Sequence, residues 1–131
     1  MNEKNFQKIA VSGSRTIDDY GVVIGVFKDS PFSAKEIIHG GARGVDSLAE
    51  KFANEARIPT RIFLPDWRKF GKRAGVLRNI EIVDSCDALI AIWDGKSKGT
   101  KQAIDYAKRI GKPVYLRVFP RFGKLKNGDQ K

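Results

Sequence analysis

The sequence predicts an α/β domain, a three-layer sandwich in which helices cover both faces of a mainly parallel five-stranded sheet. Three observations carry this reading. Short apolar runs alternate with stretches of helical periodicity, giving five strands in all. The run "DALIAIWDG" is nearly continuous in apolar residues, as a strand buried on both faces must be. The glycine-rich, charged turns all come after strands rather than before them, and that is the sheet end where open α/β folds bind ligands.

The elements follow in order. "KIAVSG" (residues 8–13) is a short β-branched run that stops at glycine, a buried strand. Residues 18–30 read as a helix despite Gly21 and Gly25, with Asp18 as its N-cap. "KEIIHGG" (35–41) is the second strand. Residues 45–56 form an amphipathic helix, with Val45, Leu48, Ala49, Phe52, Ala53 and Ala56 on one side. "TRIFLP" (60–65) is a third strand ended by Pro65, and residues 74–86 are helical, with Leu77 and Ile80 at helical spacing. The strand at 87–95 leads to a helix over 98–113, stopped by Gly111 and Pro113. "PVYLRVF" (113–119) closes the sheet.

With 131 residues the chain has room for one domain with one core. We assign that domain to residues 1–119 and a basic, aperiodic tail to 120–131. The apolar fraction of 41% and charged fraction of 31% suit a soluble protein, and no apolar run nears the ~20 residues that span a bilayer. The N-terminus "MNEKNFQK" has no signal-peptide stretch, so a cytoplasmic location is expected. Cys86 is the only cysteine and His39 the only histidine. No disulfide is available within the chain, and no metal site is expected.

The formal net charge of +10 favours acidic partners such as nucleotides or nucleic acid. The cations are clustered. Arg68, Lys69, Lys72, Arg73 and Arg78 fill one stretch, and Arg117, Arg121, Lys124 and Lys126 lie in or near the tail. Weak, salt-sensitive binding to nucleic acid through these two clusters is expected.

Four turns share the strand-end rim: "SGSRTIDD", "GGARGVD", "PDWRKFGKRAG" and "DGKSKGT". Their chemistry suits phosphate. Gly13, Gly40, Gly41, Gly44 and Gly99 let backbone approach a ligand. Amides at a helix N-terminus point at an anion, and the dipole favours it. Ser14, Thr16, Ser97 and Thr100 offer hydroxyls, and Arg15 and Arg43 offer two-pronged guanidinium groups. Arg43 near a helix start is expected to answer an anion. Asp46 has three roles open: accepting from a ribose hydroxyl, orienting Arg43, or capping its helix. Trp67, in a polar loop, is a candidate to stack on a base, while Trp93 reads as core. The dinucleotide pattern G-x-G-x-x-G and the P-loop pattern are both absent.

"VSGSRTIDD", "IIHGGARGVDSLAEKFA", "AGVLRN" and "DGKSKGT" together resemble the YspA-type (cpYpsA-related) families of the SLOG superfamily. The resemblance covers most of the chain. It implies a Rossmann-like sheet and binding of nucleotides or nucleotide-derived ligands, and relatives often pair, so a homo-oligomer is within the expectation. Two further likenesses differ in their implications. The DNA-processing protein A family, which binds single-stranded DNA, has similar features to Gly13–Arg15, Gly44–Asp46 and Arg78–Asn79. The LONELY GUY phosphoribohydrolases, which cleave the N-glycosidic bond of nucleoside monophosphates, are similar at Arg78, Asn79 and "DGKSKGTKQA". Here Gln102 and Ala103 stand where that family carries glutamates. Bond cleavage that builds positive charge on ribose needs a nearby carboxylate, which leaves Asp46 and Asp94 as candidates.

The leading expectation is therefore a ligand-binding domain that requires no further cofactor. Gly13, Ser14, Arg15, Gly41, Arg43, Gly44, Ser97, Gly99 and Thr100 form its cradle, and Arg78 and Asn79 add polar contacts. A phosphoribohydrolase and a single-stranded nucleic-acid binder remain open as alternatives.

Overall fold

A computed structural model describes residues 7–120. Beyond Pro120, the tail and its cations Arg121, Lys124 and Lys126 lie outside the described residues.

Five strands form one all-parallel sheet: β1 (Lys8–Gly13), β2 (Glu36–His39), β3 (Thr60–Ile62), β4 (Ala88–Trp93) and β5 (Val114–Val118). Their spatial order is β3-β2-β1-β4-β5. The helices are α1 (Tyr20–Asp29), α2 (Val45–Glu55), the single turn α3 (Trp67–Phe70), α4 (Ala74–Ser85) and α5 (Lys98–Arg109). A 3-10 turn, Gly71–Arg73, joins α3 to α4.

Side chains alternate across each strand, and two cores result. Ile9, Val11, Ile37, Ile90 and Ile92 face α1 and α2, where they meet Val23, Val26, Phe27, Val45, Ala49 and Ala53. Ala10, Ile38, Leu89 and Ala91 face α4 and α5, where they meet Ile82, Val83, Ala103, Ile104 and Ala107. Helices thus cover both faces, as the sequence predicts. Ile9, Ile37, Ile38, Leu89 and Ile92 are fully buried, and each such side chain contributes roughly 1.5–3 kcal/mol. Phe27 and Phe52 stack with ring centroids 4.3 Å apart and lock α1 to α2.

Two boundaries differ from expectation. Asp19, not Asp18, caps α1: its carboxylate accepts from the Val22 N–H. β3 ends at Ile62 rather than Pro65. Phe63 N–H still bonds to the His39 carbonyl, but among the described residues no strand lies outside β3 to continue the ladder. Leu64 is 70% exposed at this sheet edge.

The strand order positions the site. The chain builds outward from β1 to β2 and β3, then returns to place β4 on the other side of β1. The helices following β1 and β4 therefore leave on opposite faces, and a crevice opens between the two strand ends. Ser14 seals its floor: its N–H bonds to the Ile92 carbonyl, and its Oγ accepts from the Asp94 N–H at 2.9 Å.

Candidate functional site

A cavity of about 390 Å³ occupies that crevice. Gly13, Arg15 and Thr16 reach it from the end of β1, and Gly40, Ala42 and Asp46 from the turn after β2. Arg78, Asn79 and Ile82 line it from α4, and Asp94, Lys96, Ser97, Gly99 and Thr100 from the β4–α5 turn. Three of the four rim turns thus converge on one space, joined by the middle of α4.

Each turn is held by a carboxylate. Asp94 Oδ1 accepts from the N–H groups of Lys96 and Ser97, both at 2.8 Å, and its Oδ2 accepts from Thr16 Oγ1 at 3.2 Å. Burial alone would raise the Asp94 pKa. The two amides and the hydroxyls of Ser14 and Thr16 outweigh it, and the group titrates below its usual range. This ionised carboxylate folds "DGKS" so that Ser97 caps α5, accepting from the Thr100 N–H at 3.5 Å. The start of α5 then opens onto the cavity.

Asp46 does the corresponding work for the turn after β2. Its Oδ2 accepts from the Gly40 and Ala42 N–H groups, both at 3.1 Å. Asp46 neither caps its own helix nor orients Arg43. Gly44 is the N-cap of α2, with no side-chain bond, and the guanidinium that acts on Asp46 is that of Arg78. Burial raises the Asp46 pKa, opposed by the Ala42 N–H, His39, Arg78 and the Gly40 N–H. Among the described residues no hydrogen bond reaches Asp46 Oδ1.

Arg78 locks the same turn from the other side. Its guanidinium donates to the Gly40 carbonyl at 2.6 Å, more weakly to the Phe63 carbonyl at 3.4 Å, and to Asn79 Oδ1 at 3.0 Å. Gly40 must be glycine for this: a Cβ there would lie 2.3 Å from an Arg78 nitrogen. Burial lowers the Arg78 pKa, the Asp46 carboxylate opposes that, and the like charge of Arg15 adds to the lowering. Arg15 is exposed at the rim and has no ion pair or hydrogen bond among the described residues. Two guanidinium groups from opposite walls thus repel each other across one cavity, with Lys96 on its lip. An anion between them would relieve that repulsion.

Several expected site residues take other roles. Arg43 and Gly41 line a separate hollow with His39, Ser47, Glu50 and Ile62, which shares only Ala42 with the cavity. Arg43 is therefore not the clamp across the cavity; Arg78 holds that place. His39 is internal. Its Nδ1 accepts from the Gly41 N–H at 3.0 Å, so the proton sits on Nε2 and is donated to Glu50 Oε1 at 2.7 Å. That bond, against a smaller effect of burial, lowers the Glu50 pKa.

Gly44 contributes packing, not lining, and Ser14 is fully buried beneath the cavity. Trp67 does not line the cavity and is 54% exposed on α3. Asn79 lines it, but its amide is spent on the protein, donating to the Gly99 carbonyl and to Gln102 Oε1. Gln102 itself lies in the groove between α4 and α5 with Val76, Ile80 and Tyr106.

Sequence reasoning missed Lys96, Ala42 and Ile82 as lining groups. Lys96 was discoverable as the cation inside "DGKSKGT", whereas Ile82 faces the cavity only because α4 crosses beneath the crevice. Among the described residues, no group of three His, Cys, Asp or Glu side chains is arranged to hold a metal ion.

Fold and site together define a Rossmann-like α/β domain with a polar, cation-lined cavity at its topological switch point. The chain belongs to the YspA, cpYpsA-related SLOG family, whose model matches residues 7–70. It is 35% identical over 118 residues to the Gene 61 protein of Mycobacterium phage D29, an alignment covering 82% of this chain and 94% of that protein. No solved structure matches significantly. No helix of the described residues is long and apolar enough to cross a membrane.

Proposed function

We propose that the chain binds a nucleotide or nucleotide-derived phosphate ligand in the switch-point cavity. The observation that carries this reading is the approach of Arg15 and Arg78 across the cavity, beside the start of α5. The phosphate lies between the two guanidinium groups and takes the free amides of α5's first turn. Asp46, with Oδ1 unengaged, accepts from a ribose hydroxyl. The family assignment supports a nucleotide-related ligand.

Calorimetry with a nucleoside monophosphate and its parent nucleoside tests this reading. The wild type is expected to prefer the phosphorylated form. Arg15→Ala is expected to weaken its binding by roughly 1.5–3 kcal/mol, the scale of a charge-assisted hydrogen bond. The variant should fold normally, because Arg15 is exposed. Arg43→Ala should leave the affinity unchanged. Equal affinity for nucleotide and nucleoside would remove the phosphate argument.

A second reading, hydrolysis of the N-glycosidic bond, rests on Asp46, a carboxylate with raised pKa that lines the cavity. Its engaged oxygen holds the turn, and Gln102 lies in another groove, so little base release is expected from nucleoside monophosphates. Chromatography of the reaction mixture checks this. Rapid release that Asp46→Asn abolishes would promote the hydrolase.

A further inference from the structure

We propose that the exposed ledge of residues 66–73 binds single-stranded nucleic acid, as a surface separate from the cavity. All eight of these residues are exposed, and neither α3 nor the 3-10 turn after it buries a single residue. The segment "DWRKFGKR" nevertheless carries two large aromatics, Trp67 at 54% and Phe70 at 42% exposure. They are three residues apart on one helical turn, so they are neighbours. Core packing does not account for them.

The charge around them points to the ligand. Arg68, Lys69, Lys72 and Arg73 adjoin the two aromatics in the chain, all within the same exposed segment. The one acid, Asp66, is occupied in capping α3 by accepting from the Lys69 N–H at 3.1 Å. Among the described residues, none of the four cations has an ion pair. The Lys69 ammonium lies 5.2 Å from the centre of the Phe70 ring, which joins positive charge to the aromatic surface.

Flat rings among unpaired cations are the recognition chemistry of single strands: bases stack on the rings while phosphates meet the cations. A duplex hides its base faces and cannot use the rings. An acidic protein or an anionic membrane would satisfy the cations without needing two adjacent planar faces. The net charge of +10 adds long-range attraction for a polyanion. None of the cavity's lining residues belongs to the ledge, so the proposal stands whether or not the cavity binds a nucleotide.

Fluorescence anisotropy of the full chain with a labelled oligothymidylate, over a salt series, tests it. Affinity for the single strand is expected to exceed that for a duplex of equal length. It should fall with salt with a log–log slope of about −0.7 per contacted phosphate. Trp67→Ala should weaken binding by roughly tenfold or more, the scale of one lost stacking contact, while leaving the salt slope unchanged. Trp67→Phe should recover most of the affinity, which a merely structural role would not allow. Lys72→Ala should flatten the slope. Circular dichroism confirms that each variant is folded. Wild-type affinity in Trp67→Ala, equal affinity for duplex and single strand, or binding to anionic vesicles but not to the oligonucleotide would each overturn the proposal.

Discussion

Gly44→Ala is expected to destabilise the domain by about 3 kcal/mol or more, the sum of a strained backbone and an overpacked contact. Gly44 has φ 72° and ψ −125°, a conformation that side-chain-bearing residues avoid. A Cβ there would also lie 2.5 Å from the Ser14 carbonyl oxygen and 2.6 Å from the Arg15 carbonyl. Those atoms are backbone, pinned by the Val45 N–H to Ser14 carbonyl bond at 3.3 Å, so nothing flexible can yield. Small domains hold only about 5–15 kcal/mol in total, so the loss should be plain in urea unfolding. Gly111→Ala serves as the control. Gly111 also has positive φ, 83°, but nothing lies within 4 Å of its added Cβ. It should cost only about 1 kcal/mol, for conformation alone. Equal costs at the two sites would refute the close approach of the β1 and β2 turns. The same substitution should weaken ligand binding, because Arg15 is carried by the displaced turn.

The second large effect is expected at Asp46. Alanine there leaves the Gly40 and Ala42 amides without their acceptor and Arg78 without the carboxylate that opposes its loss of charge. The expected loss is about 3 kcal/mol. Asp46→Asn retains an oxygen acceptor and should stay close to wild type at neutral pH.

The pH dependence separates geometry from charge. The folded-state pKa of Asp46 lies above its unfolded value, which is about 3.9. Its contribution to stability is therefore fully present below that unfolded value. It is lost as pH rises through the folded pKa, where ionisation becomes costlier in the folded state. Asparagine does not titrate, so the stability of wild type relative to Asp46→Asn should fall as pH rises. Asp94 and Glu50 are lowered in the fold, so their contributions are lost in the opposite direction, as pH falls through their folded pKa values. They are common to both proteins and cancel in the difference. An asparagine variant as damaged as the alanine one would mean that the charge, not the acceptor geometry, holds the turn.

How far the sequence could be read depended on the range of the interaction. All five strands were found, because a buried strand must be apolar along its own length and glycine or proline must stop it. The long helices came from local periodicity in the same way. The errors are local competitions that a few ångströms decide. Asp18 and Asp19 are equally good caps by type, and the start of α1 at Tyr20 selected Asp19. "TRIFLP" has strand residues throughout, yet β3 lies at the sheet edge and the chain turns away after Ile62.

The site shows the same division more sharply. By itself the sequence determined the α/β alternation and the rim on which glycines, hydroxyls and cations collect, since these follow from residue type and from position after a strand. It could not determine which arginine faces the cavity. Arg43 and Arg78 are both plausible by type, but β1 and β4 are neighbours although more than seventy residues separate them in the chain. That pairing sets the crevice over the middle of α4. Arg78 therefore enters the cavity and bonds to Gly40, while Arg43 lies in the separate hollow beside His39. Tertiary structure also converted glycines expected to admit a ligand into contacts of the protein with itself, Gly40 against Arg78 and Gly44 against Ser14 and Arg15. The physical reason is common to both. A residue's type sets what it can bind, but strand order and helix crossing set what lies within its reach.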